Sequence, residues 1–361
     1  METSGPPRND RAVISVYAFG DYRHRQPLAY APIRAAAAGR LTLTDRLEAA
    51  DLVVVAHTKD LDVHGAELRR RMGPTQRLVL LSEEPFWDTI WGRDPFTREQ
   101  THHTDDGPLP VTVLNHATSR IYDFERIPYF LLTDHRYCIR YAMRFVRNAK
   151  RDAGTWRMHF ARLRDIHFMA ERRRNAKYDT AFAHRDVFGL AALRTRIAEA
   201  CDGSHVIRQG KGWTGHRTRR QELEDWHFDK LRGFDERCLI LSAIENTHQA
   251  NYITEKLFDA FAVGAVPLYW ASSGHRVHEI APDGGWLNLY GLDAAAAAGR
   301  IMSLSPDETF LEGYAATQRR LAALFCDVTA PARERKRLTD SLVAEFREVI
   351  NSRQGPDLGA V

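Results

Sequence analysis

The 361 residues include only four cysteines, Cys138, Cys201, Cys238 and Cys326, and none stands at CxxC spacing. That scatter argues against a disulfide framework and a thiolate zinc site, and it suits reduced thiols in a cytoplasmic protein. No uninterrupted apolar run approaches the roughly 20 residues that span a bilayer. The first ten residues, METSGPPRND, hold no apolar signal core. Charge is nearly balanced, 51 Lys and Arg against 47 Asp and Glu for a net +4, so composition calls for no nucleic-acid partner. No internal repeat at periods of about 20–50 residues is present. What remains is a globular composition, 44% apolar and 27% charged, in a chain long enough for two domains of ordinary size. Three local basic clusters, ERRR 171–174, RTRR 217–220 and RERKR 333–337, read first as solvated helix faces. Anionic ligands or peripheral contact with the inner membrane face are the second reading.

Short β-branched runs alternate with helical stretches. AVISVYAF 12–19, DLVVVAH 51–57, RLVLLS 77–82 and VTVLNH 111–116 read as strands, with helical APIRAAAAGR 31–40 and AELRRRM 66–72 between them. Such alternation predicts a parallel sheet covered on both faces. Residues 136–175 are Arg-rich and helical, without a strand signal. The alternation then restarts with strand-like KYDTAFAH 177–184, helical LAALRTRIAEAC 190–201, and strand-like HVIRQ 205–209, CLILSAI 238–244 and WLNLY 286–290. The expected organisation is an α/β domain over 1–150, a helical connection over 151–175, a second α/β domain over 176–335, and a C-terminal helix over 336–361 that packs back on the first domain. The amphipathic run RLTDSLVAEFREVINSRQG 337–355 carries that helix.

The most informative segment begins at CLILSAI, a buried-type strand. It passes through the polar loop ENTHQANY into TEKLFDAFAV, a helix with Thr254 as N-cap and Gly264 as C-cap. In open α/β sheets the carboxyl ends of the strands face the ligand crevice. A helix starting there aims unpaired N–H groups and its positive dipole end at a ligand, which suits phosphate. Lys256 adds a full positive charge, and Glu255 beside it suits sugar hydroxyls. Read by spacing alone, an acid and a base in a first helical turn are also commonplace.

The stretch AIENTHQANYITEKLFDAFAVGAVPLYW, 243–270, resembles the signature segment of the glycosyltransferase family ten α1,3/4-fucosyltransferases of bacterial type. The matching positions are Glu245, Asn246, Thr247, Tyr252, Ile253, Thr254, Glu255, Lys256 and Pro267. The resemblance implies a GT-B-like fold, two doubly wound Rossmann-type domains facing a central cleft. It implies inverting transfer of L-fucose from GDP-fucose to a hydroxyl of a glycan acceptor containing galactose or N-acetylglucosamine, in a cell-envelope or secreted polysaccharide. It implies a donor site at Arg194, Glu245, Asn246, Tyr252, Glu255 and Lys256, with Arg196 as a rival to Arg194. It implies a catalytic base at Glu83 in VLLSEEPFWD, followed by Glu84 and Pro85, and a role for Glu255 at the transferred sugar. RIPYF 126–130 is similar to the family's short strand leading to the second domain. No cofactor or metal is implied as required, and a divalent cation would be at most stimulatory. The sequence departs from the pattern in three places. The loop after Trp270 reads ASSGHRVHE without Gly-Ser-Pro, the insert PFTREQTHHTDDGPLP 95–110 has no counterpart, and there is no heptad tail.

Other signals are weaker. GKGWTG 210–215 has the form GxGxxG after a strand, but the charged HRTRRQELEDW follows it, which suits a plain or donor-side turn more than a dinucleotide site. THHTDDG 101–107 places His102, His103, Asp105 and Asp106 together in what reads as a solvated loop. DYRHRQP 21–27 and the aromatic-rich EEPFWDTIWGRDPF 83–96 are candidates for acceptor contact, or for surface and core. The competing functions are the same fold with another nucleotide-sugar donor, a non-catalytic glycan-binding module, and an NAD-dependent oxidoreductase.

Overall fold

The computed structural model describes residues 13–89, 94–215 and 219–352. Residues 90–93 of the aromatic-rich stretch and 217–218 of the second basic cluster lie outside them. The chain forms two compact units, one comprising residues up to Asp134 together with those from Pro331 onward, the other His135–Ala330.

In the first unit, β1 (Ile14–Ala18), α1 (Ala31–Ala37), β2 (Leu41–Leu43), β3 (Leu52–Val55), α2 (Thr58–Arg71), β4 (Arg77–Leu81), β5 (Glu99–Thr104), β6 (Gly107–Leu114) and α3 (Tyr129–Leu132) follow in order. The strands assemble as β2-β1-β3-β4-β6-β5. All neighbours run parallel except β5, which pairs with β6 antiparallel, Gln100 opposite Val111. The run LVVV of β3 is buried at every position, as a parallel strand covered on both faces requires. The insert at 95–110 therefore supplies an edge hairpin rather than a loop. On it His102 is buried and His103 exposed, because successive strand side chains point to opposite faces. The pair cannot converge on one ion. RIPYF yields the helical turn α3, begun at Pro128, where a strand was expected.

The second unit contains α4 (His135–Asn148), α5 (Ala153–Phe160), β7 (Ile166–Met169), β8 (Ala181–Phe182), β9 (Val187–Gly189), α6 (Ala191–Ala200), β10 (Val206–Gln209), α7 (Arg219–Glu222), α8 (Trp226–Phe234), β11 (Ile240–Ser242), β12 (Thr247–His248), α9 (Glu255–Ala262), β13 (Val266–Tyr269), α10 (Val277–Ile280), β14 (Leu287–Asn288), α11 (Ala294–Met302) and α12 (Glu308–Cys326). Its main sheet has the order β10-β7-β11-β13-β14, with every pairing parallel. A small antiparallel sheet, β12-β9-β8, lies beside it in sequence.

Three further expectations need correction. The stretch 151–175 is not purely helical, because IHFM forms β7, a central strand of the main sheet. Four residues between arginine-rich flanks carry too short an apolar run to register. α4 and α5 both pack on α12, so they belong with the second unit, and the units divide at Asp134–His135 rather than at 150. KYDTAFAH forms two single 3₁₀ turns around the two-residue β8, not one strand.

The last helix, α13 (Ala330–Asn351), closes the first unit. Leu338, Leu342, Val343, Phe346 and Val349 join Ile14, Val16, Leu52, Val54, Val79 and Leu81 in one core cluster. The basic run at 333–337 helps to seat it. Glu334 accepts the amides of Glu125 and Ile127 at 3.0 and 3.1 Å, and Arg335 donates to the Leu132 carbonyl at 2.9 Å. Among the described residues no helix is long and apolar enough to cross a membrane.

Candidate active site

The main sheet of the second unit changes winding direction between β7 and β11, since β10 lies on one side of β7 and β11 on the other. Ligands of open α/β sheets bind at the carboxyl ends of the strands at such a switch point. Glu245 and Asn246 follow β11 at that end.

Glu245 is 3% exposed, and its carboxylate organises the segment. It accepts the Thr254 amide at 2.8 Å, the Thr254 hydroxyl at 2.8 Å and the Lys256 ammonium at 3.0 Å. Burial raises its pKa, Lys256 opposes the rise, and the Glu255 charge adds to it. Thr254 does precede α9, as expected, but its side chain does not cap the helix. The hydroxyl is taken by Glu245, which leaves the first turn of α9 without a side-chain cap.

Lys256 also lies 3.6 Å from Glu255. Burial disfavours its charge, but Glu245 and then Glu255 outweigh that and hold its pKa above the ordinary lysine value. Arg194, on α6, is 8% exposed. It donates to Asn246 Oδ1 at 2.8 Å and to the Ile244 carbonyl at 3.3 Å. Its Nε is buried without a hydrogen-bond partner, and among the described residues it forms no ion pair. Burial lowers its pKa, with Glu245 and Tyr252 opposing. A buried guanidinium with an open donor and no carboxylate is costly unless something else takes up its charge. The rival Arg196 is held by Asp179 at the surface and plays no such part.

Arg194 and Lys256 are thus held by consecutive residues, Asn246 and Glu245. Tyr252, 7% exposed, lies near Arg194. The four formal charges, Arg194 and Lys256 against Glu245 and Glu255, sum to zero. The cluster is therefore balanced in side-chain charge, although Lys256 by itself adds a positive one. What it offers to an anion is the open Arg194 donor and the positive end of α9.

Glu83 follows β4 in the first unit. Its carboxylate accepts the Tyr129 hydroxyl at 2.8 Å and the Tyr30 hydroxyl at 2.9 and 3.1 Å. His116 Nε2 meets the Glu83 carbonyl at 3.1 Å, and its ring stacks on Tyr122 with centroids 4.2 Å apart. Tyr122 in turn meets Tyr129 edge-on at 5.0 Å. Burial raises the Glu83 pKa. The hydroxyls of Tyr129 and Tyr30 oppose it, and the Glu84 charge adds to it. Glu84 is instead drawn to Arg25 at 3.6 Å. Phe86 is fully buried, and Asp88 beneath it accepts Ser82 Oγ at 2.9 Å and lies 3.2 Å from Arg25. Burial pushes the Asp88 carboxyl up to about 7. Sequence reasoning missed Tyr30 and Tyr129, which lie 53 and 46 residues from Glu83. No motif links them to it.

The weaker candidates are structural. In GKGWTG the Gly210 φ is +119°, and a Cβ there would sit 2.7 Å from the Ala170 carbonyl oxygen. The loop closes on itself through Gly212 N to Gly215 O at 2.9 Å, and the Trp213 ring lies 4.5 Å from the Arg172 guanidinium. It is a turn pinned to residues 170–172. In DYRHRQP, Asp60 accepts the amides of Asp21 and Tyr22 at 2.9 and 3.3 Å, which fixes the loop after β1. The ERRR cluster is paired, Arg172 and Arg174 with Glu199 at 2.8 and 2.7 Å.

Residues 214–337 match the family model described as Glycosyltransferase family 10 (fucosyltransferase) C-term. That match covers about a third of the chain, most of it in the second unit, and over it the chain is similar to the C-terminal part of that family. A crystal structure of an alpha1,3-fucosyltransferase aligns with 96% of this chain and 93% of its own, at 12% identity and a TM-score of 0.45. Another, of an alpha1,3-fucosyltransferase with GDP-fucose, aligns with 98% and 94% at 12% identity and a TM-score of 0.40. No curated protein matches.

Proposed function

We propose that the protein transfers L-fucose from GDP-fucose to a hydroxyl of a glycan acceptor, with inversion at the sugar carbon. The observation that carries the reading is Arg194: a buried guanidinium with an open Nε and, among the described residues, no ion pair, close enough to Lys256 at the start of α9 for the two charges to act on each other. A diphosphate gives the open Nε a charged acceptor. As the bond to the sugar breaks, charge grows on the departing GDP, and Arg194, Lys256 and the α9 amides stabilise it. Glu255 faces the sugar and offsets positive charge on its ring. Glu83 takes the proton of the attacking hydroxyl. Its raised pKa strengthens it as a base, and the two tyrosine hydroxyls keep it ionised and oriented. With two cationic side chains at the phosphates, no metal is required for turnover, and transfer persists in excess EDTA.

The test is a donor screen that follows nucleotide release from GDP-fucose with galactose- and N-acetylglucosamine-containing acceptors. Release that depends on acceptor supports the reading. GDP giving neither heat nor a thermal shift at millimolar concentration, while NAD gives both, sinks it. Release from a different nucleotide sugar alone keeps the enzyme class and replaces the donor.

A further inference from the structure

Asp186 is one of two non-glycine residues at positive φ among those described, with φ of +53°. Aspartate tolerates this left-handed region, but such residues collect at functional positions. It immediately precedes β9, and its side chain is 45% exposed. One carboxylate oxygen, Oδ2, is held from below by Ser272 Oγ at 2.6 Å and by His248 Nε2 at 3.3 Å. The other, Oδ1, has among the described residues only the Tyr290 hydroxyl, at 3.5 Å. His248 and Ser272 are buried, so the carboxylate is mounted on a fixed base with one edge open. Burial lowers the His248 pKa, with Asp186 opposing. Aromatic rings flank it. Tyr290, 41% exposed, lies 4.5 Å from the Trp270 ring, and Phe188 lies 5.3 Å from Trp270.

The position of this group follows from register. β9 pairs with β12, Phe188 opposite His248 and Gly189 opposite Thr247. Asn246, which holds Arg194, is the next residue back along the chain. At about 3.3 Å per extended residue, His248 stands roughly 7 Å beyond Asn246. That is the scale of a ribose separating a base from its phosphates.

We infer that Asp186 reads the base of the nucleotide donor and selects guanine. The inference rests on the donor reading above. Guanine offers two adjacent donors, N1–H and the 2-amino group, and the open Oδ1 can accept from both while Oδ2 stays with Ser272 and His248. Adenine presents an acceptor at N1, and uracil has a single N–H between two carbonyls, so neither matches. The exposed Tyr290 ring gives the base a stacking face.

The experiment measures binding of GDP, IDP, ADP and UDP by calorimetry to the wild-type protein and to Asp186→Asn. IDP lacks only the 2-amino group. The wild type is expected to bind GDP about tenfold more tightly than IDP, the worth of one charge-assisted hydrogen bond. In Asp186→Asn, which can still bond Ser272, GDP weakens at least tenfold and the GDP-to-IDP ratio falls towards one. An unchanged ratio in a variant with wild-type melting temperature overturns the assignment. So does a wild-type ratio near one, which needs no variant. If the wild type binds ADP or UDP but not GDP, the donor reading itself has failed, and the guanine assignment with it.

Discussion

Glu83 keeps its carboxylate under two neutral tyrosine hydroxyls, whereas Lys256 is matched by two carboxylates and Arg194, among the described residues, forms an ion pair with none. The first arrangement leaves a proton acceptor whose affinity is raised by burial and trimmed by hydrogen bonding. The second holds two cations in place while leaving one of them open to a ligand. A base must exchange a proton, so its surroundings stay adjustable. Charges that are to hold an anion need no such freedom, and here they are fixed by partners on neighbouring residues. The two regions should therefore fail differently when broken.

The largest effect is expected at the base. Glu83→Gln should lower the transfer rate by about 10²–10⁴-fold while GDP affinity measured by calorimetry stays within twofold. A variant that transfers at the wild-type rate removes Glu83 from the chemistry. Next is Lys256→Ala, which strips Glu245 of its buried partner. It should abolish GDP binding at accessible concentrations and destabilise the fold by about 3–5 kcal/mol in denaturant titration. Adding Glu245→Gln should restore much of the stability but none of the binding. That split separates the structural part of the pair from its ligand part.

Asp88 sharpens the first region. Its folded pKa of about 7 lies above the ordinary value of 3.8, so the native state holds a proton that the unfolded chain releases. Its contribution to stability is intact at low pH and is lost as pH rises from about 4 towards 7. Asp88→Asn should gain on wild type across that window, by up to about 2 kcal/mol between pH 5 and 7. A constant difference between the two chevrons or melts contradicts the buried carboxyl. Smaller again is Tyr129→Phe. Removing one donor raises the Glu83 pKa further, so the acid limb of the kcat/KM profile should move up by about 0.5–1 pH unit. The smallest effect belongs to Arg196→Ala. Its exposed pair with Asp179 is worth under about 1 kcal/mol, and GDP binding should not change.

Within the sequence, the long periodic elements were legible, and so was the local geometry of 243–256. A buried-type strand, a polar loop and a helix start follow one another there without a long-range partner. Glu245, Thr254 and Lys256 lie within eleven residues, so their spacing already limits where they can go. Arg194 could be chosen over Arg196 only in three dimensions. The two are adjacent but one residue on the same helix, and burial against Asn246 decides between them. β7 escaped notice because its order comes from neighbouring strands on both sides rather than from its own four residues.

What the amino-acid sequence determined by itself was the α/β class, the strand-to-helix turn that presents Lys256, and the candidacy of Glu83. All of these depend on side chains close together along the chain. Tertiary structure alone decided which hydroxyls hold Glu83, that α13 completes the first core, and that Asp186 meets Ser272 and His248. Those groups lie tens to hundreds of residues apart. Only the sheet register and helix packing bring them to hydrogen-bonding distance.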